Sequence, residues 1–265
     1  MAEHTPILLL GAGRLGGALI EGWRLTGAFG PTELIICDPQ PGETARASGA
    51  RLNPPLAELA QARTVLLAVK PQMWREAAGA YAALLSSQAT IVSVAAGVRA
   101  ADIWAAFGGR GVARVMPITA VAVGQGAAAI YAPDPAARSA AHALFDPVAK
   151  SVDLEDEDLM DAVTAVCGSA PAYLYAFTEA LEAAGEAEGL APEAARTLAR
   201  ATVAGAAALM ARSGEEPAEL RRQVTSPGGT TEAALKVLMG EGGLGPLLRK
   251  AVAAAADRSR ELSKS

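Results

Sequence analysis

The feature that most constrains this chain is a repeated pattern in its first 150 residues: short, largely apolar runs separated by amphipathic stretches. Ile7 to Leu10 is ended by Gly11, and Leu34 to Cys37 by Asp38 and Pro39. Val65 to Val69 is ended by Lys70-Pro71, Thr90 to Val94 by Ala95-Ala96-Gly97, and Val112 to Met116 by Pro117; Ala127 to Tyr131 is one run more. Runs this short, apolar on both faces, are strands that must be covered from both sides. Strands alternating with helices give an α/β fold, here a doubly wound parallel sheet of Rossmann type, expected over residues 1–154.

Past residue 154 the pattern changes, and an all-α domain is expected over 155–265. Asp158 to Gly189 reads as one long helix, or two broken near Pro171. Pro192 opens another, as proline in a first helical turn should. Shorter helices start at Pro217 and at Thr230 or Thr231, and a last one runs into the polar tail Asp257 to Ser265. Ala162 to Thr178 carries no charge, but it falls short of the ~20 residues of a membrane span and holds Gly168, Ser169 and Pro171, so it reads as a buried helix. The acidic run Asp153 to Asp158 reads as a solvated face or helix start, with no function assigned.

The net charge of -5 argues against a nucleic-acid binder and against a polybasic membrane anchor. Cys37 and Cys167, the chain's 2 cysteines, show no metal spacing. They read as reduced thiols of a cytoplasmic protein, and no metal site is expected. Met1 to Pro6 has no basic region of the kind that opens a signal peptide.

Gly11-Ala12-Gly13-Arg14-Leu15-Gly16 is a G-x-G-x-x-G loop between the first strand and a helix, followed by an acid, Asp38, at the end of the second strand. In that context it is a dinucleotide fingerprint. Gly11 allows the tight turn, Gly13 lets the backbone approach a pyrophosphate, and Gly16 lets helix and strand pack closely. Free amides at the helix N-terminus hold the phosphates. Asp38 has two readings: it accepts hydrogen bonds from ribose hydroxyls and favours NADH, or it is a turn residue before Pro39 and leaves NADPH equally open. Ligands of such sheets lie outside the carboxyl ends of the strands, where Ala68-Val69-Lys70-Pro71, Ala95-Ala96-Gly97 and Met116-Pro117 fall. Small residues and prolines there either admit a cofactor or simply end strands.

A second candidate site is Thr225-Ser226-Pro227-Gly228-Gly229-Thr230-Thr231, a Gly-Gly pair before a helix with hydroxyls on both sides. It is either an amide cradle for a carboxylate or an ordinary helix start capped by Thr230 or Thr231. No proton donor suited to ketone reduction stands near a strand end: His4 lies in the N-terminal tail and His142 in a helix, and neither Tyr173 nor Tyr175 has a lysine four residues on. An iminium substrate needs none, because its nitrogen already carries the proton.

Gln223 to Thr231 resembles the C-terminal signature of pyrroline-5-carboxylate reductases. Ala68 to Gln72, Arg114 to Pro117 and Gly168 to Tyr173 resemble further motifs of that family, in order and at similar spacing. The resemblance implies reduction of Δ1-pyrroline-5-carboxylate to L-proline by NADPH or NADH, and a homodimer or higher homo-oligomer formed through interlocking C-terminal helices. It implies that Ser226, Gly228, Gly229 and Thr230 hold the substrate carboxylate, that the Thr231 hydroxyl is the catalytic group near the ring nitrogen, that Asn53 contacts the adenine ribose, and that Ala68, Lys70 and Ala95 to Gly97 line the nicotinamide half. Arg14, Ile118, Ala120 and Ala170 depart from the family pattern. They leave open another cyclic imine, such as a piperideine carboxylate, as substrate. A hydroxyacid dehydrogenase is a weaker alternative, lacking the helix lysine. A dinucleotide-binding regulator without catalysis would not need Thr231 and its Gly-Gly loop.

Overall fold

The computed structural model describes residues 3–263. Met1-Ala2 and Lys264-Ser265, the ends of the two expected domains, lie outside the described residues. Eight strands form one sheet: β1 Ile7–Leu10, β2 Leu34–Cys37, β3 Arg51–Leu52, β4 Thr64–Leu67, β5 Thr90–Ser93, β6 Val112–Pro117, β7 Gly126–Tyr131 and β8 Ala149–Leu154. Their order is β3-β2-β1-β4-β5-β6-β7-β8. Every neighbouring pair is parallel except β6 with β7, whose connection through residues 118–125 is too short for the crossover that parallel strands need.

The central strands alternate across the sheet. Ile7 and Leu9 of β1 face one apolar layer with Ile36, Leu66 and Val92, under helices α1 (Arg14–Thr26) and, later in the chain, Pro135–Phe145. Leu8 and Leu10 face the other layer with Ile35, Val65 and Ile91, under α3 (Trp74–Tyr81) and α4 (Ala100–Ala106), α2 being the short Glu43–Ala47. Both faces are therefore dry, which is why these runs show no polar alternation. Trp23 of α1 is fully buried, and its indole N–H donates to the Leu144 carbonyl at 2.8 Å, fixing α1 against α5 (Pro135–Phe145).

The later helices are α6 Met160–Val163, α7 Ala170–Ala187, α8 Pro192–Ser213, α9 Pro217–Gln223, α10 Thr230–Leu238 and α11 Leu244–Leu262. A π-helical turn, Thr164–Gly168, separates α6 from α7, so the expected long helix breaks just before Ser169. By compactness the chain forms two units, Met1–Gly168 with Ala255–Ser265, and Ser169–Ala254. Within the second unit α7 packs on α8, yet α7 has no buried residue, and Leu174, Tyr175 and Phe177 are exposed. The expectation of a buried helix over Ala162 to Thr178 therefore fails within the single chain; the apolar face is present and uncovered.

Candidate active site

The C-terminal ends of the parallel strands converge in the first unit. β1 lies between β2 and β4, with Leu10 level with Cys37 on one side and Leu67 on the other. The connections reverse direction at β1, and a crevice opens at such a reversal. Gly11 leaves β1 with φ +90, and a Cβ there would stand 2.9 Å from the Ala68 carbonyl oxygen. Its amide donates to the Cys37 carbonyl at 2.9 Å. The glycine turn is thus wedged between the ends of β2 and β4, and Ala68-Val69 forms its wall.

At Gly16 a Cβ would meet the Gly11 carbonyl oxygen at 2.3 Å, so α1 can pack on the turn only without a side chain there. Gly13 is the opposite case: nothing lies within 4 Å of the position a Cβ would take. It is the N-cap of α1, makes no side-chain cap, and is followed by a first turn free of acidic residues. The open space, the uncapped amides and a first helical turn without acids fit a pyrophosphate. Arg14 sits exposed at the first position of α1 with no ion-pair partner among the described residues.

Asp38 is tied into this loop. One carboxylate oxygen accepts from the Ala12 amide at 2.6 Å and the other from the Gln40 amide at 2.7 Å. Asn53, at φ +46, clamps the same residue from the other side: its side-chain oxygen accepts from the Asp38 amide at 3.0 Å and its NH2 donates to the Asp38 carbonyl at 2.9 Å. The turn reading of Asp38 is therefore present in the structure, and the carboxylate still stands at the β2 end. Lys70 and Pro71 are exposed beyond β4, and Ala95-Ala96-Gly97 follows β5, with Gly97 at φ +75. Gly11 to Gly16, Asp38, Asn53, Ala68 to Pro71 and Ala95 to Gly97 thus all follow the carboxyl ends of parallel strands of one sheet.

The loop Ser226 to Thr231 belongs to the second unit. Neither threonine caps α10, contrary to the ordinary helix start; its N-cap is Gly229, which has no side chain to offer. Gly228 stands at φ +70, a conformation that glycine adopts freely. Its amide donates to the Glu232 carboxylate at 2.5 Å, and the Gly229 amide donates to the Ser226 carbonyl at 3.0 Å. Glu232 is held in turn by Lys236 at 3.3 Å. The amides of Thr230 and Thr231 at the head of α10 receive no side-chain cap, while the Thr231 side chain is half-buried.

The histidines are engaged elsewhere. His4 Nε2 lies 3.1 Å from the Ser139 hydroxyl, and burial lowers its pKa. His142 bridges Asp146 and Asp153, each at 3.1 Å. Cys37 is a buried free thiol, its pKa pushed up to about 11 by burial, and Cys167 is also free. Among the described residues no cluster could hold a metal ion. Sequence reasoning missed Glu157. It falls in the acidic run read as solvated, but its side chain is 13% exposed and pairs with buried Arg114 at 2.6 Å. The available signal was Arg114 itself, a charge inside a strand that had to find a partner.

Residues 157–262 match the family model for pyrroline-5-carboxylate reductase dimerisation, and residues 6–97 match the model described as NADP oxidoreductase, coenzyme F420-dependent. The pyrroline-5-carboxylate reductase of Pseudomonas aeruginosa is 39% identical over 98% of this chain and 98% of its own. The structure of a pyrroline-5-carboxylate reductase from Coxiella burnetii superposes with a TM-score of 0.89 at 30% identity, covering 99% of this chain and 100% of that one. The fold is also that of the Plasmodium falciparum pyrroline carboxylate reductase crystallised with NADP, with a TM-score of 0.83 at 24% identity over 98% of this chain and 99% of that one.

Proposed function

The chain belongs to the pyrroline-5-carboxylate reductase family, and from that premise we infer that it reduces Δ1-pyrroline-5-carboxylate to L-proline with a reduced nicotinamide dinucleotide. The observation that carries this reading is the survival of both halves of the machinery in one chain: an open glycine loop at the strand ends and an uncapped Gly-Gly-Thr-Thr helix start.

Gly11 to Gly16, with Arg14, hold the pyrophosphate through the head of α1. Asp38 and Asn53 face the adenine ribose, and Ala68 to Pro71 with Ala95 to Gly97 line the nicotinamide half. When bound, the dinucleotide supplies the hydride. Ser226, Gly228, Gly229 and Thr230 cradle the substrate carboxylate at a helix head whose N-cap, Gly229, offers no side chain to its amides. Fixing the carboxylate orients the planar imine. The Thr231 hydroxyl accepts a hydrogen bond from the ring N–H and holds the charged iminium, the form that accepts hydride most readily. No general acid is required, which fits the engagement of both histidines elsewhere.

For cofactor choice, Asp38 leans the site towards NADH, since a carboxylate repels a 2′-phosphate. The match to a dimerisation family supports a homo-oligomer. We assign the uncovered faces of α7 and α8 to a second copy, forming at least a homodimer, with residues 1–154 as the dinucleotide domain and 155–265 as the dimerisation and substrate domain. Among the described residues no helix is long and apolar enough to cross a membrane. The free thiols support a cytoplasmic location.

The test is steady-state reduction of pyrroline-5-carboxylate with NADH and NADPH side by side, in wild type and Asp38→Asn. Turnover with a higher kcat/KM for NADH, shifting towards NADPH in the variant, is expected. No turnover with either cofactor, in protein that binds one, would overturn the assignment and send the search to piperideine carboxylates.

A further inference from the structure

The loop after β5, Ala95 to Gly97, is braced by residues from far along the chain. On its near side the Ala95 amide donates to the Ser93 hydroxyl at 3.2 Å. On its far side the chain enters α4 at Ala100, whose amide donates to Glu157 Oε1 at 2.7 Å. That same oxygen receives Arg114 of β6 at 2.6 Å, and Glu157 Oε2 lies 3.5 Å from Arg99. Arg99 also reaches Asp158 at 2.7 Å. Two cations and one amide thus converge on Glu157, and two of the three come from residues 99 and 100, directly after the loop. The arginine side chain of the central pair is 9% exposed and that of Glu157 13%, so water does little to screen the pair.

A second brace reaches the loop from the end of the chain. The position of a Cβ on Gly97 would be 3.4 Å from Ser263 Oγ and 3.6 Å from the Leu262 carbonyl oxygen. The end of α11 therefore lies against the loop, and Ser259 of α11 pins it there by donating to Asp161 at 2.5 Å. Glu157, Asp161 and Ser259 all lie in the segment matched to the dimerisation family, while the loop they brace lies in the dinucleotide segment.

We propose that Glu157, bridging buried Arg114 and the Ala100 amide, is a positioning residue that fixes the nicotinamide-side loop, with the Ser259-bound end of α11 as its second support. The proposal rests on the reading that Ala95 to Gly97 line the nicotinamide. Neither residue touches the reacting atoms. Their role is to hold a short, small-residue loop at the level where the reduced ring must face the imine. An unbraced loop would still leave Gly11 to Gly16 intact. Disturbing Glu157 should therefore separate the two halves of the cofactor: the adenine half keeps its site and the nicotinamide half loses its wall.

The experiment compares NADH with ADP-ribose, which lacks the nicotinamide, as ligands of the wild type, Glu157→Gln and Ser259→Ala proteins, alongside steady-state kinetics. In Glu157→Gln the Kd for NADH is expected to rise about tenfold, the loss of one charge-assisted contact to the loop, while that for ADP-ribose stays within about twofold. The KM for NADH rises and kcat falls, with the KM for the imine unchanged. Ser259→Ala shows the same pattern more weakly and answers the question if Glu157→Gln does not fold. Equal weakening of both ligands would make Glu157 merely structural, and unchanged NADH affinity in both variants would remove the brace; either overturns the proposal. Ala96→Leu, on the exposed side of the loop, tests the underlying reading separately. If it leaves NADH binding intact, the loop does not line the nicotinamide, whatever Glu157 does.

Discussion

Gly13 and Gly16 lie three residues apart in one loop, and the structure predicts opposite failures for their replacement by alanine. At Gly16 the added methyl would stand 2.3 Å from the Gly11 carbonyl oxygen, and ordinary contact begins near 3.4 Å, so α1 and the turn must part by about 1 Å. Both partners are backbone, and no side chain can rotate away. Overpacking of this kind costs about 1–3 kcal/mol. In a chain of this size that lowers Tm by roughly 2–4 °C per kcal/mol. The same displacement pulls the α1 amides from the pyrophosphate, and losing one hydrogen bond to a charged group weakens NADH binding by about 10- to 100-fold. Gly13, at φ -69, adopts a conformation open to alanine, and a Cβ there meets nothing within 4 Å. Gly13→Ala should therefore fold with a Tm within about 2 °C of wild type, a small cost for alanine at an N-cap. Yet it places a methyl where the pyrophosphate must approach, so NADH affinity falls by a similar factor. Titration of protein fluorescence with NADH, beside thermal unfolding by circular dichroism, measures both quantities. Wild-type NADH affinity in Gly13→Ala would refute the placement of the pyrophosphate over that residue. An unshifted Tm in Gly16→Ala would refute the close approach.

Thr231→Val, which keeps the shape and removes the hydroxyl, should lower kcat by about 10- to 100-fold, the worth of one hydrogen bond to a charged group, with NADH affinity unchanged; single-turnover reduction measures it. His142 contributes a pH dependence to stability. Burial opposes its charge, but the hydrogen bonds and charges of Asp146 and then Asp153 outweigh burial and raise its pKa. Its contribution is therefore complete below the unfolded pKa of about 6.5 and is lost as the pH rises through the higher folded value. The Tm difference between wild type and His142→Gln should shrink from pH 6 to pH 9, and a difference that grows would reverse the assignment. Cys37, buried and with its pKa pushed up to about 11, should resist thiol reagents at pH 8 in the native protein and react once unfolded. Rapid native labelling at Cys37 by mass spectrometry would contradict its burial.

The central strands were readable because both faces of the sheet are covered, so burial left an unbroken apolar run at each. Where that condition fails, so does the reading. β8 is Ala-Lys-Ser-Val-Asp-Leu at the edge of the sheet, with Val152 62% exposed, and nothing in its composition separates it from a loop. β3 is two residues long and half-buried, too short to carry a period. The uncharged stretch Ala162 to Thr178 misled in the other direction. Its apolar content predicts a buried helix, whereas Leu174, Tyr175 and Phe177 are exposed in the single chain. Sequence reports how much apolar surface must be hidden, not which chain hides it, and faces of this kind mark interaction surfaces.

The candidate site divides along the same line. Glycines whose role is local were legible, because a turn, an open approach and a tight helix contact each leave their mark at fixed spacing. The Asp38–Asn53 clamp was half legible: the acid at the strand end shows in the sequence, but the carboxamide that holds both its backbone amide and its carbonyl stands 15 residues away. Glu157 was legible only indirectly, through the charge of Arg114 inside its strand. In a run of five acids over Asp153 to Asp158, composition makes every carboxylate look solvated. Only the fold singles out the one that meets Arg114, 43 residues earlier. A buried arginine within a strand is the better starting point, since it must have an anion within reach or be destabilising by several kcal/mol. Searching outward from such a cation, rather than inward from a charge run, leads to the carboxylate that joins β6 to the head of α4.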